Sequence, residues 1–163
     1  MSKRIKQIAL LGMGIALYVV LSFTMKIPLI SHIQTDLGYV AFGVFLALMG
    51  PIAAIVGVLG CLLESLLFSG WVPAGWMLGQ AFIGIICGTL YKKNKNVIVN
   101  IIITIIAVFI GIGIIKTLVE CVLFNIPLLV KIPKNLIAAT ADVVPMIVGY
   151  VIALKTPIKK FIK

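Results

Sequence analysis

Four carboxylates, Asp36, Glu64, Glu120 and Asp142, stand in a chain of 163 residues that is 63% hydrophobic. Each lies inside or at the edge of an apolar run. Ionisable groups at such depth are costly, so they face a cavity or pair with one another. Lys116 and Glu120 are four residues apart and share one helix face. They fit two readings equally well: the wall of a polar pocket, or a pair whose aliphatic stems reach the membrane interface and whose charges neutralise each other. Asp142 falls about 10 Å beyond Asn135 at a 1.5 Å rise per residue. That depth favours a pocket or a buried pair.

Aromatic chemistry sits close by in sequence. The loop Ser-Gly-Trp-Val-Pro-Ala-Gly from Ser69 to Gly75 carries Trp71, and Trp76 and Gln80 follow on a shared helix face. Tryptophans near a membrane boundary commonly anchor the interface. Aromatic walls with a few placed polar groups also hold small planar ligands. Glu64, ending the adjacent apolar run, gives the second reading equal weight. The polar segment Ser31–Asp36 reads as a solvated turn or as a lid over a pocket, with Gln34 or Asp36 reaching the ligand.

Other chemistries lack their residues. No phosphate-binding GxxxxGK[ST] loop is present, so the chain carries no nucleotide site of that kind. Cys61, Cys87 and Cys121 are isolated in apolar runs, and no CxxC, HExxH or Cys/His cluster accompanies them. The lone histidine, His32, has no evident nucleophile beside it. Neither catalysis, a metal nor a cofactor is expected.

The elements that must position these groups are membrane helices. Only 11% of residues are charged and the mean hydropathy is +1.28, against about 25% charged in soluble domains. A helix needs about 20 apolar residues to cross the hydrocarbon. The apolar runs predict spans over 7–25, 37–49, 52–68, 72–91, 97–120 and 135–154. Gly50-Pro51 divides the second from the third, because proline removes a donor and clashes with the preceding turn. Pro133 and Pro157 bracket the last. The first run is longer than a signal-peptide core and lacks a cleavage motif, so it reads as a retained span.

Charge sets the orientation. Lys3, Arg4 and Lys6 open the chain, Lys92, Lys93 and Lys95 lie mid-chain, and Lys155, Lys159, Lys160 and Lys163 close it. Placing all three clusters in the cytoplasm obeys the positive-inside rule. It also requires an even number of crossings before Lys92. The expected fold class is therefore an all-α integral membrane protein, a single bundle of six transmembrane helices with both termini cytoplasmic. A re-entrant hairpin over 37–68 is the alternative. All four acids and both tryptophans then fall toward the outer face. The net charge of +10 is topology rather than a nucleic-acid patch, since no basic stripe exists.

Small residues at helical spacing on the first span, Ala9, Gly12 and Ala16, permit close helix approach in lipid. Taken together, these features resemble the substrate-binding S components of energy-coupling factor (ECF) vitamin transporters. The stretch from Ile33 to Gly88 is similar to the family's order of polar loop, short helix, Gly-Pro turn and Gly-rich helix ending in an acid. A Trp-bearing outer loop and a W-x-L-G segment, here Trp76 to Gly79, follow. The first span is similar to the family's Ala-x-x-x-Ala helix, which contacts the transmembrane coupling subunit. Here Gly12-x-x-x-Ala16 stands instead, with Met13 where Ala9 would want its partner.

The resemblance implies a binding protein of the bacterial cytoplasmic membrane. Such a protein captures a vitamin or related micronutrient at the outer face and works with a coupling subunit and two ATPases. The candidate ligand-binding residues are Gln34, Asp36, Glu64, Trp71, Trp76, Gln80, Lys116, Glu120 and Asp142; Ala9, Gly12, Met13 and Ala16 are the candidate partner face. Trp71, Trp76 and Gln80 make a flat heterocycle such as riboflavin the first expectation, with thiamine, pyrimidine or queuosine precursors and folates open. A non-transporting scaffold of the cell-shape type is the alternative, and a small lipid-acting membrane enzyme is a third reading.

Overall fold

The structure is a computed structural model that describes residues 3–24, 26–30 and 33–156. His32 and the lysines beyond Thr156 lie outside the described residues. Helix α1 spans Lys3–Thr24, and strands β1 (Lys26–Ile30) and β2 (Ile33–Asp36) follow. Then come α2 (Gly38–Met49), a 3₁₀ turn (Gly50–Ala53), α3 (Ala54–Ser69) and α4 (Ala74–Lys93). Helix α5 (Val97–Val108) runs through a π-helical segment (Phe109–Lys116) into α6 (Thr117–Phe124), and α7 (Leu128–Lys155) closes the described chain.

Among the described residues, five stretches are long and apolar enough to cross a membrane: Arg4–Thr24, Gly38–Ser69, Ala74–Lys93, Val97–Phe124 and Leu128–Lys155. The second of these is not straight. Met49 ends α2, Gly50 adopts a left-handed φ of 72°, and Pro51 fills an early position of the 3₁₀ turn, where its missing N–H costs little. The chain reverses there: Asp36, just before α2, and Glu64, near the end of α3, line the same cavity. The turn itself packs on the far end of α4, where Gly88 meets the backbone of Gly50 and Pro51. Helix α2 has 12 residues, about 18 Å at the α-helical rise, so it is shorter than the roughly 30 Å of hydrocarbon.

This short helix is the centre of the bundle. It packs on α7, α1, α4 and α3. Its Tyr39, Phe42 and Leu46 join Tyr18, Ile83, Ile112 and Met146 in a fully buried core. Outward faces are apolar as well: Leu129 is 85% exposed, Val122 77% and Ile8 69%. Water would penalise such a surface, and lipid would not. The contacts also fix the ends. Tyr18 lies beside Gly38 and Gly60, whereas Gly14 faces Phe45 and Val56, so the start of α1 points toward the 3₁₀ turn. The end of α4 and the Tyr150 end of α7 meet in the same region. Arg4, Lys6, Lys92, Lys93 and Lys155 therefore gather at one end of the bundle, opposite the cavity.

Two local features depart from the sequence expectations. The segment after α1 forms a β-hairpin, with Lys26 opposite Asp36, Ile27 opposite Thr35 and Pro28 opposite Gln34, whereas the sequence marks only Ser31–Asp36, as a turn or lid. And α7 begins at Leu128, with Pro133 inside it rather than before it. Pro133 lies in the second turn of the helix, where its absent N–H removes a single bond.

Candidate functional site

Helices α1, α3, α4 and α7, together with strand β2, enclose a cavity of about 180 Å³ at the end opposite the basic flanks. Asp36 enters it from the last residue of β2. Its Oδ1 accepts the backbone N–H of Gly38 at 2.7 Å, which caps the start of α2 as short acidic side chains do. Its Oδ2 accepts the hydroxyl of Tyr18 at 3.2 Å. Burial pushes the Asp36 carboxyl above the ordinary carboxylate range, against the opposing pull of the Gly38 and Tyr18 bonds.

Tyr18 is fully buried and also accepts a bond from Gln80 Nε2 at 2.7 Å. Gln80 Nε2 lies 3.4 Å from the Tyr39 hydroxyl as well. A relay thus runs from Gln80 through Tyr18 to Asp36. Gln80 Oε1 has no partner among the described residues. Gly60 makes room for this relay, since a Cβ there would stand 2.6 Å from Tyr18 Cγ. Asp142, 2% exposed on α7, faces the cavity, and its Oδ1 accepts the backbone N–H of Asp36 at 3.5 Å. Thr35, Cys61, Glu64, Ser65 and Trp76 complete the wall.

A second polar network adjoins the first across Trp76. The Lys116 ammonium lies 3.9 Å from the centroid of the Trp76 ring, within cation–π range. It donates to Asn135 Oδ1 and stands 3.6 Å from Glu120 Oε1. Lys131 Nζ lies 2.9 Å from Glu120 Oε2, and Asn135 Nδ2 donates to Thr117 Oγ1 at 2.9 Å. The π segment ends at Lys116, and Thr117 Oγ1 donates to the carbonyl of Ile112 five residues back. Such wide turns re-aim side chains and often occur at functional sites.

The expected site residues therefore divide. Asp36, Glu64, Trp76, Gln80 and Asp142 meet at one cavity. Lys116 and Glu120 are buried and belong to the adjoining network, so neither snorkels to an interface. Trp71 is 45% exposed and packs edge-on against Phe124 with centroids 5.6 Å apart, outside the cavity wall. The backbone of Gln34 pairs in the hairpin, and its side chain lies outside the described residues. Sequence reasoning missed Tyr18, Thr35, Cys61, Ser65 and Asn135. Tyr18 alone gave a usable signal, because a phenol inside an apolar span must find a partner.

Of the candidate partner residues on α1, Ala9, Gly12, Met13 and Ala16 are all exposed. Met13 is 63% exposed, and the space beside Gly12 is open.

This arrangement of membrane helices around a polar cavity has known counterparts. The chain matches the family described as "ECF-type riboflavin transporter, S component" over residues 2–160. It belongs to that family and is a multi-pass membrane protein. Among solved structures, the S component for biotin from an ECF-type ABC transporter has the same fold, with a TM-score of 0.70 at 19% identity over 94% of this chain and 92% of that one. Curated relatives include UPF0397 protein YdcD of Lactococcus lactis subsp. lactis, 25% identical over 93% of this chain and 89% of its own length. A UPF0397 protein of Streptococcus thermophilus is 26% identical over 55% of this chain and 50% of its own.

Proposed function

We propose that this chain is the substrate-binding subunit of an ECF-type importer in the cell membrane. Six helices cross the bilayer as one unit with both ends in the cytoplasm, which puts the cavity at the outer face. A vitamin-like micronutrient is held there by Asp36, Glu64, Trp76, Gln80 and Asp142, with a flat ring lying along Trp76. Gln34 and the hairpin cover the entrance, Trp71 flanks it, and Lys116 and Glu120 fix the Trp76 ring from behind. The Ala9, Gly12, Met13 and Ala16 face of α1 docks on a transmembrane coupling subunit driven by two ATPases. The family's name makes riboflavin the first compound to test.

One observation carries this reading: five polar or aromatic residues from separate parts of the chain converge on a single cavity, away from the basic flanks. A scaffold without a ligand would leave that convergence, and its desolvation cost, without purpose. The test is purification from cells grown in rich medium, followed by mass spectrometry of the released small molecules, together with uptake assays with and without a co-expressed coupling module. The reading expects a bound micronutrient and uptake that depends on the module. An empty cavity across a complete vitamin panel, with no module-dependent uptake, would sink it.

A further inference from the structure

The cavity wall brings three carboxyl groups together, those of Asp36, Glu64 and Asp142. Asp142 and Asp36 adjoin in the wall, and among the described side chains neither forms a salt bridge. Asp142 accepts one long hydrogen bond, 3.5 Å from the backbone of Asp36. Gln80 gives both donor hydrogens to tyrosine hydroxyls, and its Oε1 packs against Gly57 rather than opening into the cavity. The Tyr18 proton is already given to Asp36. Among the described side chains, the buried cation Lys116 is held by Asn135, Glu120 and the Trp76 face and is not part of the cavity lining.

Buried carboxylates without a salt-bridge partner are costly until a cation arrives. A neutral ligand with carbonyl edges would only add acceptors beside Asp36 and Asp142. Size narrows the choice further. At about 180 Å³, the cavity is smaller than the roughly 300–1,000 Å³ of sites for drug-sized ligands, so one ring or a short amine fills it.

We infer that the cavity selects a compact organic cation, a single-ring or open-chain molecule whose amine or amidine-type N–H groups bridge Asp36 and Asp142 while its flat part lies along Trp76. This rests on the proposed role of the cavity as the ligand site and narrows that ligand by charge and size. Neutral, three-ringed riboflavin falls outside it.

The test uses three probes of one shape on the full chain in lipid nanodiscs: benzamidine, a cation; benzamide, its neutral isostere; and benzoate, an anion. Calorimetry and thermal shift read the binding. The expected result is that benzamidine binds at least about tenfold more tightly than benzamide, about 1.4 kcal/mol, and that benzoate gives no shift. In Asp142→Asn, or in Asp36→Asn should the first variant not fold, the preference for benzamidine over benzamide falls to near parity. Equal binding of benzamide, a preference for benzoate, no benzamidine binding, or a preference that survives the folded variants would overturn the inference. A neutral vitamin that binds and is imported would overturn it too, and would leave the transport role standing. Charge selection without module-dependent uptake would do the reverse.

Discussion

The Tyr18 hydroxyl lies 3.2 Å from Asp36 Oδ2, tying the middle of the first helix to the last residue of the hairpin. Replacing Tyr18 with Phe keeps the ring and removes the relay. Gln80 Nε2 would then retain only the longer contact to Tyr39. An unsatisfied buried donor costs about 1–3 kcal/mol. Tyr18→Phe is expected to lower the melting temperature of the purified protein by a corresponding amount and to weaken ligand binding, both readable in one thermal-shift titration.

Asp36 gives a pH signature. Burial raises its folded-state pKa above the unfolded value of about 3.9. Below the unfolded value the carboxyl is neutral in both states, and its burial carries no charge penalty. As pH rises through the folded value, the buried side chain ionises and stability is lost. Glu64 and Asp142 share the cavity and Tyr18 touches the carboxylate, but all three remain in an Asp36→Asn variant. The melting temperature of Asp36→Asn minus that of the wild type should therefore grow as pH rises from the unfolded value through the raised folded one. A difference that is flat or shrinking over that interval would contradict the account.

The ion pairs behind Trp76 make a prediction about what removal exposes. Glu120→Ala leaves Lys116 buried with Asn135 and an aromatic face, and breaking such a pair costs about 3–5 kcal/mol. Replacing both Lys116 and Glu120 with apolar residues of similar length should recover most of that loss. Thermal unfolding of the two single variants and the double variant checks it, and a double variant worse than either single would refute the pairing.

Glycines separate the cavity from the proposed docking face. At Gly60 an added methyl would stand 2.6 Å from Tyr18 Cγ, so Gly60→Ala should cost about 1–3 kcal/mol by overpacking and weaken ligand binding. At Gly12 the space is open. Gly12→Leu should leave melting temperature and binding unchanged while lowering module-dependent uptake. Equal loss of binding in both variants would mean that α1 does not divide its two faces in this way.

Much of this architecture was legible in the sequence because lipid imposes simple rules. Apolar run length located the helices, and Gly50-Pro51 located the reversal. The cost of buried charge pointed to Asp36, Glu64 and Asp142 before their convergence was visible. The hairpin was not legible, since Pro28 and a short polar stretch carry no strand periodicity. Nor was the division between cavity and supporting network. Lys116 and Glu120 share a helix face with each other, but their orientation depends on a π segment that hydrophobicity does not encode. Trp71 and Trp76, five residues apart, received the same weight, yet one packs outward on Phe124 and the other lines the cavity.

That widened stretch of backbone works as a phase adjuster. Everything after Lys116 is turned relative to where an unbroken α-helix would have carried it, so the lipid-facing stripe of α5 and the carboxylate of α6 need not fall on one line. Deleting a single residue between Phe109 and Lys116 would reset the phase while leaving every side chain in the cavity wall chemically intact. The Trp76 ring would lose its ammonium backing through rotation alone.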